Sequence, residues 1–393
     1  MKIALYQPWI YLYGGIERSI VELVKRSRHQ WTIFTGHYEP DSTFPEFAEF
    51  DVRELNCLSV KRDIASVMTA ATKILFQKLP LNNFDALVIW CDGIGDMAVF
   101  RNHSLPLFNI CSTPLRAAFD PVYERHALMS RGFFARILYK LFKNIFISTD
   151  RMAWRRFDGV IATSLEVKNR IIQGNLYQAG DRMQLFHPGI DWNAFDVAPR
   201  YEPMFLVPGR IMWTKNIELA ISAFIKAGPP APWRLVIAGF VDAKSQDYLS
   251  GLQELASGHD RIIFEPSPTD NRLQELYRTA SAVLFPPLNE DWGIVPLEAM
   301  ASSKPVMANA MGGPLESVKD GETGWLLDSS NDAWADTIIR ASRNREEIRR
   351  MGRNARIRAR QYDWSTFASG VDNAIDNWVR YKAYLSHARL RTA

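Results

Sequence analysis

Two doubly wound parallel α/β sheets, one in each half of the chain, are the fold that the sequence predicts. Three observations carry that prediction. Short runs of strand make-up recur at 2–9, 31–35, 86–91, 107–111 and 159–163, and again at 204–208, 234–239, 261–264, 281–285 and 305–308. Helical stretches separate them, and such alternation is the pattern of parallel sheets covered on both faces. A proline-bearing run at 188–203 has neither periodicity and divides the two sets, so we expect one domain over 1–198 and a second over 199–362.

The first strand, LysIleAlaLeuTyrGlnProTrp (2–9), runs towards Gly14 and Gly15, which open a helix reaching Val24. Glycine there lets backbone approach a bound phosphate with no Cβ in the way. In the second half the run 205–208 leads into Gly209, Arg210 and Lys215, and then an apolar helix from Ile217. An arginine fork and a mobile lysine charge suit a diphosphate, and open α/β sheets bind ligands beyond strand carboxyl ends. Strand 281–285 precedes a loop carrying Glu290 and a glycine bend at Gly293, Ile294 and Val295. LeuGluAlaMetAlaSer (297–302) is a good helix former, so Glu298 is expected in the first turn of a helix. Unpaired N–H groups at that helix start can receive phosphate oxygens, and the two carboxylates can accept from sugar hydroxyls. Gly312 and Gly313 follow the 305–308 strand and precede another helix.

Composition bounds the rest. The 393 residues are 47% apolar and 23% charged, ordinary for a soluble globular protein, and a formal charge of +4 is too small to imply nucleic acid. Cys57, Cys91 and Cys111 are widely spaced, which fits neither a disulfide framework nor a zinc site and suggests a reducing cytoplasm. Gln7 and Pro8 interrupt the start too early for a signal peptide, and no apolar run approaches the roughly eighteen residues of a membrane span. No Asp-x-Asp occurs, so a carboxylate-held metal is not expected. Residues 125–157 hold eight Arg or Lys and one acid, Asp150. At helical spacing Phe133, Phe134, Ile137, Leu138, Leu141, Phe142 and Ile145 share a face, with Arg136, Lys140 and Lys143 on the other. Such a helix either packs its apolar side into the first domain or lies on an anionic membrane surface.

Glu290-x7-Glu298, followed by AlaMetAla and the ProVal strand at 305–306, resembles the family-4 retaining glycosyltransferases of the GT-B fold. That resemblance implies two Rossmann-like domains facing across a cleft, the first for acceptor and the second for a nucleotide-sugar donor. The helix at 363–385 would cross back onto the first domain. Arg210, Lys215 and Gly209 would hold the donor diphosphate, with Gly14 and Gly15 closing over it from the opposite domain. Glu298 would bind ribose, Glu290 the transferred sugar, and Gly293, Ile294, Val295, Gly312 and Gly313 would line the donor site. Ser112, in CysSerThrProLeuArg (111–116) with Asp120 beyond, stands where a bacterial subset of mannosyltransferase-like enzymes has histidine beside the donor sugar. A hydroxyl can hydrogen-bond there but cannot take imidazole's charge. His103 and His126 flank the segment as substitutes.

The implied activity is metal-independent, cofactor-free transfer of a hexose to a saccharide or polyprenyl-linked acceptor. It would serve polysaccharide or lipopolysaccharide synthesis in the cytoplasm, peripheral to the inner face of the cell membrane. A nucleotide-sugar epimerase or hydrolase of the same fold, and a non-catalytic binding scaffold, are the alternatives.

Overall fold

Apolar residues on both sides of a strand require cover on both sides of its sheet, and the computed structural model has that arrangement twice. It describes residues 1–392 except 56–57, 62–63, 92, 130–131, 179 and 196–197, so Cys57 lies outside the described residues. The chain forms two compact units: Met1–Pro188 with Trp364–Ala393, and Gly189–Asp363.

The first unit carries a seven-stranded sheet whose spatial order is Asp51–Glu54, Gln30–Thr35, Lys2–Tyr6, Ala86–Cys91, Leu107–Cys111, Gly159–Ala162 and Met183–Leu185. Every pairing is parallel. The first strand stops at Tyr6, short of the expected 2–9, because Pro8 has no N–H for the ladder. Trp9–Ile10 instead pairs with His37–Tyr38 in a separate two-stranded ladder.

The second unit carries six parallel strands in the order Ile262–Pro266, Arg234–Gly239, Met204–Pro208, Ala282–Phe285, Val306–Asn309 and Gly324–Leu327. Successive side chains alternate between its two cores. Phe205 and Val207 join Leu235 and Ile237 beneath the Ile217–Ala227 helix, while Leu206 joins Val236 and Val283 beneath the Ile294–Ala301 helix.

The last helix, Trp364–Thr392, belongs to the first unit. Ser27 Oγ and Arg28 N–H donate to Asp372 at 2.6 and 2.9 Å, and Lys382 pairs with Asp158. Trp378 lies so close to Gly159 that a Cβ there would meet its ring at 2.4 Å. Glycine is therefore required at the head of that strand.

One buried cation makes stability depend on pH. Lys304 is 0% exposed, donates to the carbonyl of Arg200 and lies 4.0 Å from the Tyr201 ring centroid. Burial pushes its pKa down to about 7 from 10.5. Below about 7 folded and unfolded chains both hold the proton, and the cost of a buried ammonium is fully present. Between 7 and 10.5 the folded chain binds fewer protons, so stability rises with pH through that window. Urea midpoints should climb between about pH 7 and 10, and Lys304→Met should flatten that climb. An identical slope in the variant would contradict this account.

Candidate functional site

In the second unit the strand Met204–Pro208 ends at Gly209, whose φ of +116° favours glycine. Its N–H donates to the Ala238 carbonyl at 3.1 Å, and a Cβ on Gly239 would fall 1.6 Å from the Gly209 oxygen. Two backbones thus touch, and Arg210 is turned out to solvent. Among the described residues the Arg210 guanidinium has no ion pair or hydrogen bond. A short 3-10 turn, Trp213–Lys215, follows. Asn216, at φ 49°, closes it and donates from Nδ2 to the Pro286 carbonyl at 3.1 Å. Leu288 N–H bonds back to the Thr214 carbonyl at 3.3 Å.

These bonds tie the lysine turn to the loop bearing the first glutamate. Lys215 Nζ is 2.8 Å from Glu290 Oε2, both side chains being about one-fifth exposed at 19% and 20%. The ammonium also lies 5.9 Å from the Phe285 ring centroid. Asn309 fixes the same loop from the next strand, donating to the Pro286 and Pro287 carbonyls while accepting from Trp334 Nε1. Neither asparagine was singled out from the sequence, although Asn216 stands where a helix-capping residue is expected. Its side chain makes no cap bond and braces the neighbouring loop instead.

The glycines here are spacers between backbones. Gly312 has φ +65°, and a Cβ there would meet the Glu290 carbonyl oxygen at 2.1 Å; one on Gly313 would meet that of Trp292 at 2.1 Å. The N–H of Gly313 donates to the Glu290 carbonyl at 2.8 Å and is thereby engaged within the protein. Gly293, at φ +88°, starts the Ile294–Ala301 helix, whose Val295 lies 3.7 Å from the Cβ position of Gly209. The helix opens earlier than expected because Pro296 is tolerated in a first turn, so Glu298 is the fifth helical residue and not in the first turn. It lies one turn beyond Ile294 on the same face. Buried Tyr277 donates to Glu298 Oε2 at 2.6 Å, and burial followed by the Glu298 charge pushes the phenol pKa well up. The phenol remains a donor that fixes this carboxylate, a role with no signal in the sequence.

The remaining candidates lie in the first unit. Gly14 caps the Gly15–Arg26 helix at an ordinary φ of −106°, and the space beside it is filled, since a Cβ there would meet Glu17 Oε2 at 2.3 Å. Buried Glu17 places its carboxylate at this helix start, the end favourable to negative charge. Ser112 follows the strand Leu107–Cys111 and accepts from Trp90 Nε1 at 2.9 Å. Beyond it, Arg116 donates twice to Asp120, at 2.8 and 2.7 Å. Burial opposes the Asp120 charge, but Arg116 and Arg170 together with the Val122 N–H hold its carboxyl below the usual range. This segment is locked by its own ion pairs. His103 precedes the strand that Ser112 follows; at about 3.3 Å per residue the two ends stand too far apart for His103 to replace the missing imidazole. Among the described residues no group of three His, Cys, Asp or Glu is placed to hold a metal ion.

Residues 192–358 match the family model described as glycosyl transferases group 1. Over 233 residues the chain is 30% identical to D-inositol 3-phosphate glycosyltransferase of Nocardia farcinica, covering 54% of this chain and 51% of that protein, about half its length. Alpha-1,3/1,6-mannosyltransferase ALG2 of Rhizomucor pusillus is 25% identical over 86% of this chain and 83% of its own. Among solved structures, Anabaena HepE in complex with UDP and glucose superposes with a TM-score of 0.72 at 18% identity, covering 96% of this chain and all of that one. The fold shared with such neighbours is GT-B.

Proposed function

We propose that this chain, which has the GT-B fold and carries a group 1 glycosyltransferase domain over residues 192–358, moves a hexose from a nucleoside diphosphate to an acceptor hydroxyl with retention at the anomeric carbon. The hexose in this reading is mannose, supported by the ALG2 mannosyltransferase relatives. The acceptor is a saccharide or a lipid-linked saccharide, met by the first unit; the donor belongs to the second. The observation that carries this reading is the Lys215–Glu290 pair at 2.8 Å, beside the helix start at Gly293 to Val295.

Lys215 has three N–H donors, and the bond to Glu290 leaves the others to meet a diphosphate. Exposed Arg210 supplies a second positive charge from the same loop. As the bond from the anomeric carbon to the diphosphate oxygen breaks, negative charge grows on the leaving group, and preorganised cations there stabilise the transition state. The acceptor oxygen bonds to the anomeric carbon on the face the diphosphate leaves, and its proton passes to the departing phosphate. No metal or enzymic nucleophile enters this scheme. Glu290 orients hydroxyls of the transferred sugar and Glu298, fixed by Tyr277, those of ribose; Ser112 offers the sugar a neutral hydroxyl.

Incubation with UDP-, GDP- and dTDP-hexoses and oligosaccharide or polyprenyl-linked acceptors, read by mass spectrometry, should show addition of one hexose to an acceptor. Free hexose or an epimerised nucleotide sugar formed without acceptor would instead mark a hydrolase or epimerase. Nucleotide binding without turnover, with every acceptor supplied, would mark a non-catalytic scaffold.

A further inference from the structure

The long helix Phe133–Trp154 is held to the protein by one face only. Ala153 and Trp154 are buried in the core of the first unit, with Phe146 packed against it. The opposite face does not turn inward as an ordinary core helix would. Phe134, Ile137, Leu141 and Ile145 are 84%, 52%, 54% and 54% exposed, and Leu138 and Met152 follow the same stripe. At 1.5 Å per residue the unbroken stripe from 134 to 145 runs for about 17 Å. Scattered exposed apolar residues are ordinary, but a continuous row marks an interaction surface.

The charges beside the stripe select its partner. Lys140 is exposed on one flank, and Arg136, exposed beyond it, donates from Nε to the Leu128 carbonyl at 3.1 Å. Lys143, further round, is engaged with Glu124 at 2.7 Å. The helix's single acid, Asp150, is fully buried, where desolvation and then the neighbouring Asp96 push its pKa well up. The exposed helix surface therefore carries positive charge alone. A two-fold contact with another copy would bring like flanks together, whereas anionic lipid headgroups complement them. No described helix is long and apolar enough to cross a membrane.

We propose that this helix lies in the interface of an anionic bilayer, its apolar stripe inserted at the headgroup–acyl boundary while Arg136 and Lys140 meet lipid phosphates. Interfacial helices bind through buried apolar area plus attraction to anionic lipid. The inference is independent of the donor chemistry and holds whether or not the transferase reading does.

Co-sedimentation with phosphatidylcholine vesicles, with and without phosphatidylglycerol, tests it. The wild-type protein should sediment with the anionic vesicles. Ile137→Asp with Leu141→Asp should abolish this, and Arg136→Gln with Lys140→Gln should weaken it about thirty-fold, each basic group near such a surface contributing about a tenfold factor or less. Because these positions are solvent-exposed, thermal unfolding of the variants should match wild type, separating lost docking from lost fold. Equal sedimentation of wild type and the aspartate variant would overturn the proposal. So would failure of wild type to bind anionic vesicles, or a dimer in light scattering that the aspartates dissolve.

Discussion

Lys215→Ala lowers kcat/KM for hexose transfer by a factor on the order of 10²–10³ and does so mostly in kcat. The ammonium lies at the carboxyl end of the second sheet, held 2.8 Å from Glu290, on a turn braced by Asn216 and the Pro286 carbonyl. Its removal deletes a charge meant for the leaving diphosphate and strands a half-buried carboxylate close to where that anion must sit. Repulsion then adds to lost attraction. Because Lys215 and Glu290 act as a pair, the double variant with Glu290→Ala should lose less than the two single losses combined. Steady-state kinetics on the four proteins measures this directly. Undiminished transfer by Lys215→Ala would exclude the role assigned to it.

Gly312→Ala should cost stability and activity together. Two penalties coincide there: a φ of +65°, and a Cβ 2.1 Å from the Glu290 carbonyl oxygen. The first alone costs an alanine about 1–2 kcal/mol. The second is backbone against backbone, with no flexible side chain to yield, so the Glu290 loop must move. Gly321→Ala provides the control, since Gly321 has nearly the same φ, +70°, and nothing within 4 Å of its Cβ position. Gly321→Ala should lower Tm by a few degrees with activity retained, and Gly312→Ala should lower it at least twice as far with transfer lost. Equal effects would show that the close approach to Glu290 carries no energetic weight.

Much of the fold was legible because buried parallel strands are short, apolar and regularly spaced. The runs at 204–208, 234–239 and 281–285 coincide with strands paired on both sides. In the two large sheets three strands were not foreseen, Asp51–Glu54, Met183–Leu185 and Gly324–Leu327, and each lies at a sheet edge. AspValArgGlu is polar because an edge strand needs cover on fewer sides, so apolar composition fails as a signal there. The amphipathic pattern at 133–145 identified a helix but not where its apolar side points. Periodicity fixes a face; only the buried Ala153 and Trp154 decide which face turns inward.

Site chemistry followed the same division. Arg210, Lys215, Glu290 and Glu298 could be read from residue type and position beyond strand ends. The groups that aim them could not. Asn216 and Asn309 both reach the Pro286 carbonyl from positions 70 and 23 residues away, and Tyr277 meets Glu298 across 21. Long-range hydrogen bonds of single side chains leave no local pattern. The Ile294–Ala301 helix starts three residues before the run of good helix formers at 297–302, because Pro296 is accommodated in its first turn.

The most direct test is a crystal structure with a bound nucleoside-diphosphate hexose. The diphosphate should lie within about 3 Å of Lys215 Nζ and contact Arg210, with a Glu298 oxygen on ribose and Glu290 facing the hexose. A donor bound away from these four side chains, with the Lys215–Glu290 pair undisturbed, would contradict the account.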